Sequence, residues 1–157
     1  MNTYLPTGEK PMPFAFKIWK NFSQVSPFMP VGWIIKAGSH QKLTAAAKKA
    51  YDAPFPSAKY KAGAKIFPAL VPANQQDPAV PYMLNAREVL KSWQKPAFVL
   101  FSDKDPIMSG AWKWFYNNIP TAKDQPQITI KDAGHFLQED KGEEIAEHIV
   151  EFMNRTA

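Results

Sequence analysis

Apolar residues recur at helical spacing along the first half of the chain. Ala15, Ile18, Phe22 and Val25 share one face of a segment spanning 14–25, which predicts an amphipathic helix. Leu43, Ala46, Ala47 and Ala50 predict a second helix over 41–51, with Ser39 as its N-cap. A third begins at Ser57 and presents Tyr60, Ala64, Phe67 and Val71. Pro6, Pro11, Pro13, Pro27, Pro30, Pro54, Pro56, Pro68 and Pro72 cut the region into short pieces. Proline stops a helix and turns the residue before it away from helical geometry. No strand pattern is present before residue 75.

The pattern then changes. Asp77-Pro78 reads as an N-cap with proline in the first turn, and Met83, Ala86, Val89, Leu90 and Trp93 follow with helical period. Ala97-Phe98-Val99-Leu100-Phe101 is an unbroken apolar run of strand length, the pattern of a parallel strand buried on both faces. A loop over 102–110 leads to a helix carrying Trp112, Phe115, Tyr116 and Ile119. Gln127-Ile128-Thr129-Ile130 predicts a second strand, followed by the loop Asp132-Ala133-Gly134-His135. The last helix buries Ile145, Ala146, Ile149, Val150 and Met153, and turns Glu143, Glu144, Glu147 and Glu151 to water. Strand, helix, strand, helix implies a parallel pair with a right-handed crossover, so the expected fold class is α/β.

Composition narrows the function classes. The chain has 157 residues, 45% of them hydrophobic and 21% charged, ordinary for a globular domain. It has no cysteine, which removes disulfides, thiolate nucleophiles and Cys-ligated zinc. The histidines lack metal-ligand spacing, so no metal or other cofactor is expected. No apolar run is long enough to span a membrane. The opening Met1-Asn2-Thr3-Tyr4-Leu5-Pro6 lacks a basic stretch followed by an apolar one, so no secretory leader and a cytoplasmic location are expected. The net charge is +5. The lysines mostly stand singly, and Arg87 and Arg155 are the only arginines. Arginine is the residue that reads bases and clamps phosphates best, so no nucleic-acid partner is expected.

Candidate chemistry follows from the parallel pair. Loops that leave the same end of neighbouring parallel strands open on one side, where open α/β sheets place their sites. The first loop carries Asp103 and Asp105 and the second carries His135. A carboxylate beside an imidazole fixes one tautomer and stabilises the imidazolium formed when the ring takes a proton. His148 among the glutamates of the last helix reads as part of a solvated face, and His40 beside Ser39 as part of a turn. A nucleophile would need a sharp strand-to-helix elbow. None of the serines, at 23, 26, 39, 57, 92, 102 and 109, has that setting, and no aspartate does.

Three stretches resemble haloalkane dehalogenases of the α/β-hydrolase fold. They are Tyr51-Asp52-Ala53-Pro54-Phe55-Pro56 with Tyr60-Lys61-Ala62-Gly63 and Phe67-Pro68; Phe101-Ser102-Asp103-Lys104-Asp105-Pro106; and Asp132-Ala133-Gly134-His135-Phe136-Leu137-Gln138-Glu139. The last two are shared by many α/β hydrolases, whereas the first resembles this family's helical cap. The resemblance implies a partial α/β-hydrolase fold, the later part only. Residues 1–7 would end a core strand and enter the cap, 8–74 would form the cap, and 75–157 the C-terminal part of the core.

The resemblance also implies roles. His135 would be the general base and Asp105, placed just before Pro106, its orienting acid. Asn2 falls where a different subfamily carries that acid, and a neutral amide cannot do that job. Trp19 would bind the departing halide. Phe16, Phe67, Pro68, Val71, Ile107 and Met108 would line the pocket for a small apolar halogenated substrate. The aspartate nucleophile has no counterpart in this chain. It would belong to a missing N-terminal half of the same fold, and the chain alone would be inactive, with a sheet edge left unpaired. Two other readings stay open. One is a fragment of an epoxide hydrolase or other α/β hydrolase using Tyr51 and Tyr60, and the other is a non-enzymatic helical binding module.

Overall fold

The computed structural model describes all residues, 1–157. In chain order the helices are α1 (Phe14–Val25), α2 (Val31–Gly38), α3 (Ala45–Asp52), α4 (Ala62–Ile66), α5 (Val80–Lys91), α6 (Trp112–Asn118), α7 (Leu137–Asp140) and α8 (Gly142–Thr156). The strands are β1 (Leu100–Ser102) and β2 (Ile128–Ile130). The chain divides into two compact units. One comprises Met1–Tyr4, Ala37–Leu43 and Arg87–Ala157; the other comprises Leu5–Lys36 and Thr44–Ala86.

The first unit holds the sheet. β1 and β2 pair in parallel with Leu100 opposite Ile128, Phe101 opposite Thr129 and Ser102 opposite Ile130. Leu100, Ile130, Ala133, Leu137 and Ile145 form its core, with Phe98 and Ile128 packed against them. Phe98 stacks on Phe152 of α8, ring centroids 5.5 Å apart. The strands are shorter than the apolar run predicts, because 97–99 lie outside the two-strand ladder and stay half-buried. Two further bonds carry the pairing past the strand ends: Asp103 N–H donates to Ile130 O at 3.1 Å and Lys104 N–H to Ala133 O at 3.0 Å. These bonds zip together the loops that carry Asp105 and His135.

The second unit is helical throughout. α1 has the predicted bounds. Its end is tied down by Gln24 Nε2 donating to Lys65 O at 2.6 Å and by Lys65 Nζ donating to Ser26 O at 2.8 Å. Helix α2 was not among the predicted elements, although Pro30 before Val31, Ile34 and Ile35 is a helix-start pattern. Gly32 lets it approach α3: a Cβ there would lie 2.4 Å from Lys48 O. Asp52 Oδ1 accepts the Gly32 N–H at 3.0 Å.

Two expectations are corrected here. α3 starts at Ala45 rather than Gln41, and its cap is Thr44, whose hydroxyl accepts from Ala47 N at 3.1 Å, not Ser39. The reason lies in the preceding residues: the N–H groups of His40 and Gln41 are taken by the Asp140 carboxylate, which holds them in a bend outside the helix. The helix expected from Ser57 is broken into two 3₁₀ turns, Ala58–Lys61 and Phe67–Leu70, around the short α4. Pro68 has no N–H to donate to a continuing helix.

Candidate active site

Each candidate residue of the first unit is placed by a backbone feature. β1 ends at Ser102, and the loop after it bends so that Asp105 is buried. Its Oδ1 accepts the N–H groups of Ile107 at 2.8 Å and Met108 at 3.2 Å. This is the side-chain-to-backbone turn that aspartate forms readily. Its Oδ2 stands 2.9 Å from His135 Nδ1. The Asp105 side chain is 2% exposed and that of His135 24%. Asp103, the other carboxylate of this loop, faces Lys104 at 3.7 Å instead. With its proton on Nδ1, His135 donates to Asp105 and leaves Nε2 free to accept.

The loop after β2 is held from several sides. Gly134 N–H donates to Asp140 Oδ2 at 2.7 Å and His135 N–H to Gly38 O at 2.8 Å. Asp140 Oδ2 also accepts from His40 N at 2.8 Å, and its Oδ1 accepts from Gln41 N at 2.6 Å. One carboxylate therefore fixes the His135 turn and the 37–43 segment together. Ala37, Gly38, Ser39, His40, Lys104, Pro106, Ile107, Gly134 and His135 border an open cleft of about 220 Å³. Sequence reasoning missed Asp140 and Gly38, and no local pattern marks either.

Electrostatics favours an ionised Asp105. Burial pushes its carboxyl up. The hydrogen bond to His135, the N–H groups of Ile107 and Met108 and the charge of His135 pull the other way and win, leaving it below its ordinary value. A carboxyl depressed in the folded state stabilises that state above its unfolded pKa and loses the contribution as pH falls through the folded value. The thermal midpoint of the wild-type chain is therefore expected to fall more steeply below roughly pH 4 than that of Asp105→Asn. Parallel acid titrations followed by circular dichroism check this; identical slopes would mean the carboxylate gives no such linkage.

The remaining candidates are distributed as follows. Ile107 is exposed and borders the cleft, whereas Met108 is half-buried. In the second unit Trp19 is half-buried and stacks on Phe22 with ring centroids 5.9 Å apart. Phe16 and Val71 are half-buried, Pro68 is buried and Phe67 is 69% exposed. His40 is exposed. His148 is half-buried rather than fully solvated, its Nδ1 3.7 Å from Glu151 Oε2. No three His, Asp or Glu side chains converge as a metal site would require, and no helix is long and apolar enough to cross a membrane.

Known proteins give the same picture at the level of family. No family model matches the chain. A haloalkane dehalogenase from Psychrobacter cryohalolentis is 44% identical over 153 residues, covering 98% of this chain and 50% of its own. One from Mycobacterium marinum is 42% identical over 149 residues, covering 95% of this chain and 50% of its own. This chain is homologous to haloalkane dehalogenases. It spans about half the length of the curated relatives it matches. Among solved structures, a haloalkane dehalogenase from Paraglaciecola agarilytica NO2, described as tetrameric, superposes with a TM-score of 0.79 at 32% identity, over 94% of this chain and 48% of that one. The helix-rich chain with its parallel strand pair is thus a partial α/β-hydrolase fold of the haloalkane dehalogenase kind.

Proposed function

We propose that this chain supplies the base-bearing part of a haloalkane dehalogenase, with residues 8–74 as the cap and 75–157 as the later part of the core. The observation that carries the reading is the 2.9 Å pairing of His135 Nδ1 with Asp105 Oδ2 at the ends of adjacent parallel strands. In the proposed reaction, an aspartate carboxylate on the complementary half of the fold attacks the carbon bearing the halogen. The carbon–halogen bond breaks, halide leaves with its electron pair, and an alkyl ester forms. His135 then takes a proton from water through Nε2 as the water oxygen attacks the ester carbonyl. Asp105 stabilises the imidazolium that results. Collapse of the tetrahedral intermediate releases the alcohol, which takes the proton from His135, and the remaining proton of the water is lost to solvent as the carboxylate is regenerated.

The departing halide needs N–H donors in an apolar setting, where their pull is strongest. Trp19 carries such a donor on the aromatic face of α1. Phe16, Phe67, Pro68 and Val71 from the cap, with Ile107 and Met108 from the core, would line the substrate pocket. Few polar groups among them suit a small halogenated alkane.

A chimera tests the reading by joining this chain to the upstream half of the Psychrobacter cryohalolentis relative. Incubated with a 1-bromoalkane, it is expected to release bromide and the alcohol in equal amounts. A folded chimera that releases neither would overturn the assignment. In the same chimera, Trp19→Phe removes one charge-assisted hydrogen bond, of the kind worth about 1.5–3 kcal/mol, so halide affinity should weaken roughly tenfold or more. Fluorescence quenching by bromide measures it. Unchanged affinity would return Trp19 to a packing role against Phe22.

A further inference from the structure

We infer that Asn2 is a positioning residue, whose side chain fixes the backbone of the His135 turn and so holds the imidazole on Asp105. Its Nδ2 lies 2.7 Å from Ser102 Oγ, 3.0 Å from Gly134 O and 3.1 Å from His135 O. Its Oδ1 accepts the N–H of Ser102 at 3.1 Å. Ser102 Oγ in turn donates to Gly134 O at 2.7 Å. One amide therefore bridges the end of β1 to both carbonyls of the turn.

With Asn2 in place, every backbone polar group of Gly134 and His135 has a partner. The two N–H groups go to Asp140 and Gly38 and the two carbonyls to Asn2, with Ser102 sharing the first. Without the amide, His135 O loses its donor and Gly134 O keeps only Ser102, which leaves the turn free to rotate toward other donors. A ring held by one hydrogen bond to Asp105 cannot keep its geometry if its own main chain turns. Asn2 also adopts φ 23°, a left-handed backbone that asparagine tolerates better than most residues. A side chain with both an amide donor and a carbonyl acceptor suits this place, since it must give to two carbonyls and receive from one N–H. A carboxylate could do only the second.

The inference rests on His135 as the base, but its test reads the imidazole rather than the reaction. Histidine-labelled nitrogen NMR of the 157-residue chain reports which ring nitrogen carries the proton and how fast that proton exchanges. The wild type is expected to show a slowly exchanging Nδ1 proton on His135, bonded to Asp105. Asn2→Leu is expected to lose that resonance or bring it into fast exchange. Thr121→Ala removes an unrelated hydrogen bond of the same unit, to Lys95 O at 2.7 Å, and should retain the resonance. Where Asn2→Leu fails to fold, the near-isosteric Asn2→Asp decides, since it keeps the acceptor to Ser102 but sets an oxygen against two carbonyls. It too should lose the slow proton. A resonance retained at wild-type exchange rate in a folded Asn2→Leu or Asn2→Asp variant would overturn the inference. A chimera that fails to dehalogenate would instead count against the proposed reaction and leave this result standing.

Discussion

His135→Ala, placed in the chimera that completes the fold, is expected to release one equivalent of halide per active site and then stop. In the proposed reaction the first step, displacement of halide by the nucleophile, asks nothing of the imidazole. The second needs a base to take the proton from water, and no other side chain stands where His135 does on the Asp105 carboxylate. Turnover should fall by about 10³–10⁴-fold, the usual scale for removing a positioned general base with its partner. Mass spectrometry should then find the alkyl group retained on the protein. Steady alcohol release at the unmodified rate, with no retained adduct, would exclude His135 as the base. The proposed step would depend on the pair because an ionised, buried Asp105 stabilises a protonated ring more than an exposed carboxylate would.

Gly134→Ala is expected to have the largest effect on stability. A Cβ at Gly134 would lie 2.6 Å from Gly38 O, 2.9 Å from His40 N and 3.2 Å from the Ser39 carbonyl carbon. All three are main-chain atoms, and the His40 N–H is held by Asp140, so none can swing aside as a side chain could. The His135 turn and the 37–43 segment must therefore separate, at a cost of about 3 kcal/mol, the upper part of the range for overpacking. Gly142→Ala is the internal comparison. It has nothing within 4 Å of the added carbon and sits at the start of α8, so it should be neutral or slightly stabilising. Urea unfolding of the two variants side by side measures the difference. Equal midpoints would show that the turn and the segment are not packed as described.

What could be read from the sequence was local or periodic. The bounds of α1 follow from its apolar face and from the prolines on either side. The parallel pair follows from two short apolar runs with a helix between them, and that topology alone puts Asp105 and His135 at one end of the sheet. The strand limits could not be read, because Ala97, Phe98 and Val99 look like strand but have no partner strand alongside. The start of α3 was misplaced for a related reason: Ser39 is a good cap by type, but the N–H groups near it are claimed by Asp140, about 100 residues away. Asn2, Gly38 and Asp140 share this difficulty. Each matters through a backbone group remote in sequence, and no spacing rule reaches that far.

The supports of the His135 turn also bear on the order in which the molecule is made. Asn2 bonds to residues 100, 132 and 133 positions further along the chain. During synthesis the Asn2 amide must wait, without its partners, until residue 135 has been made. The helical stretches can form as they emerge, since their contacts are near in sequence. The imidazole and its carboxylate are only 30 residues apart, but the amide that supports their turn joins it across 133, a separation whose closure costs more chain entropy.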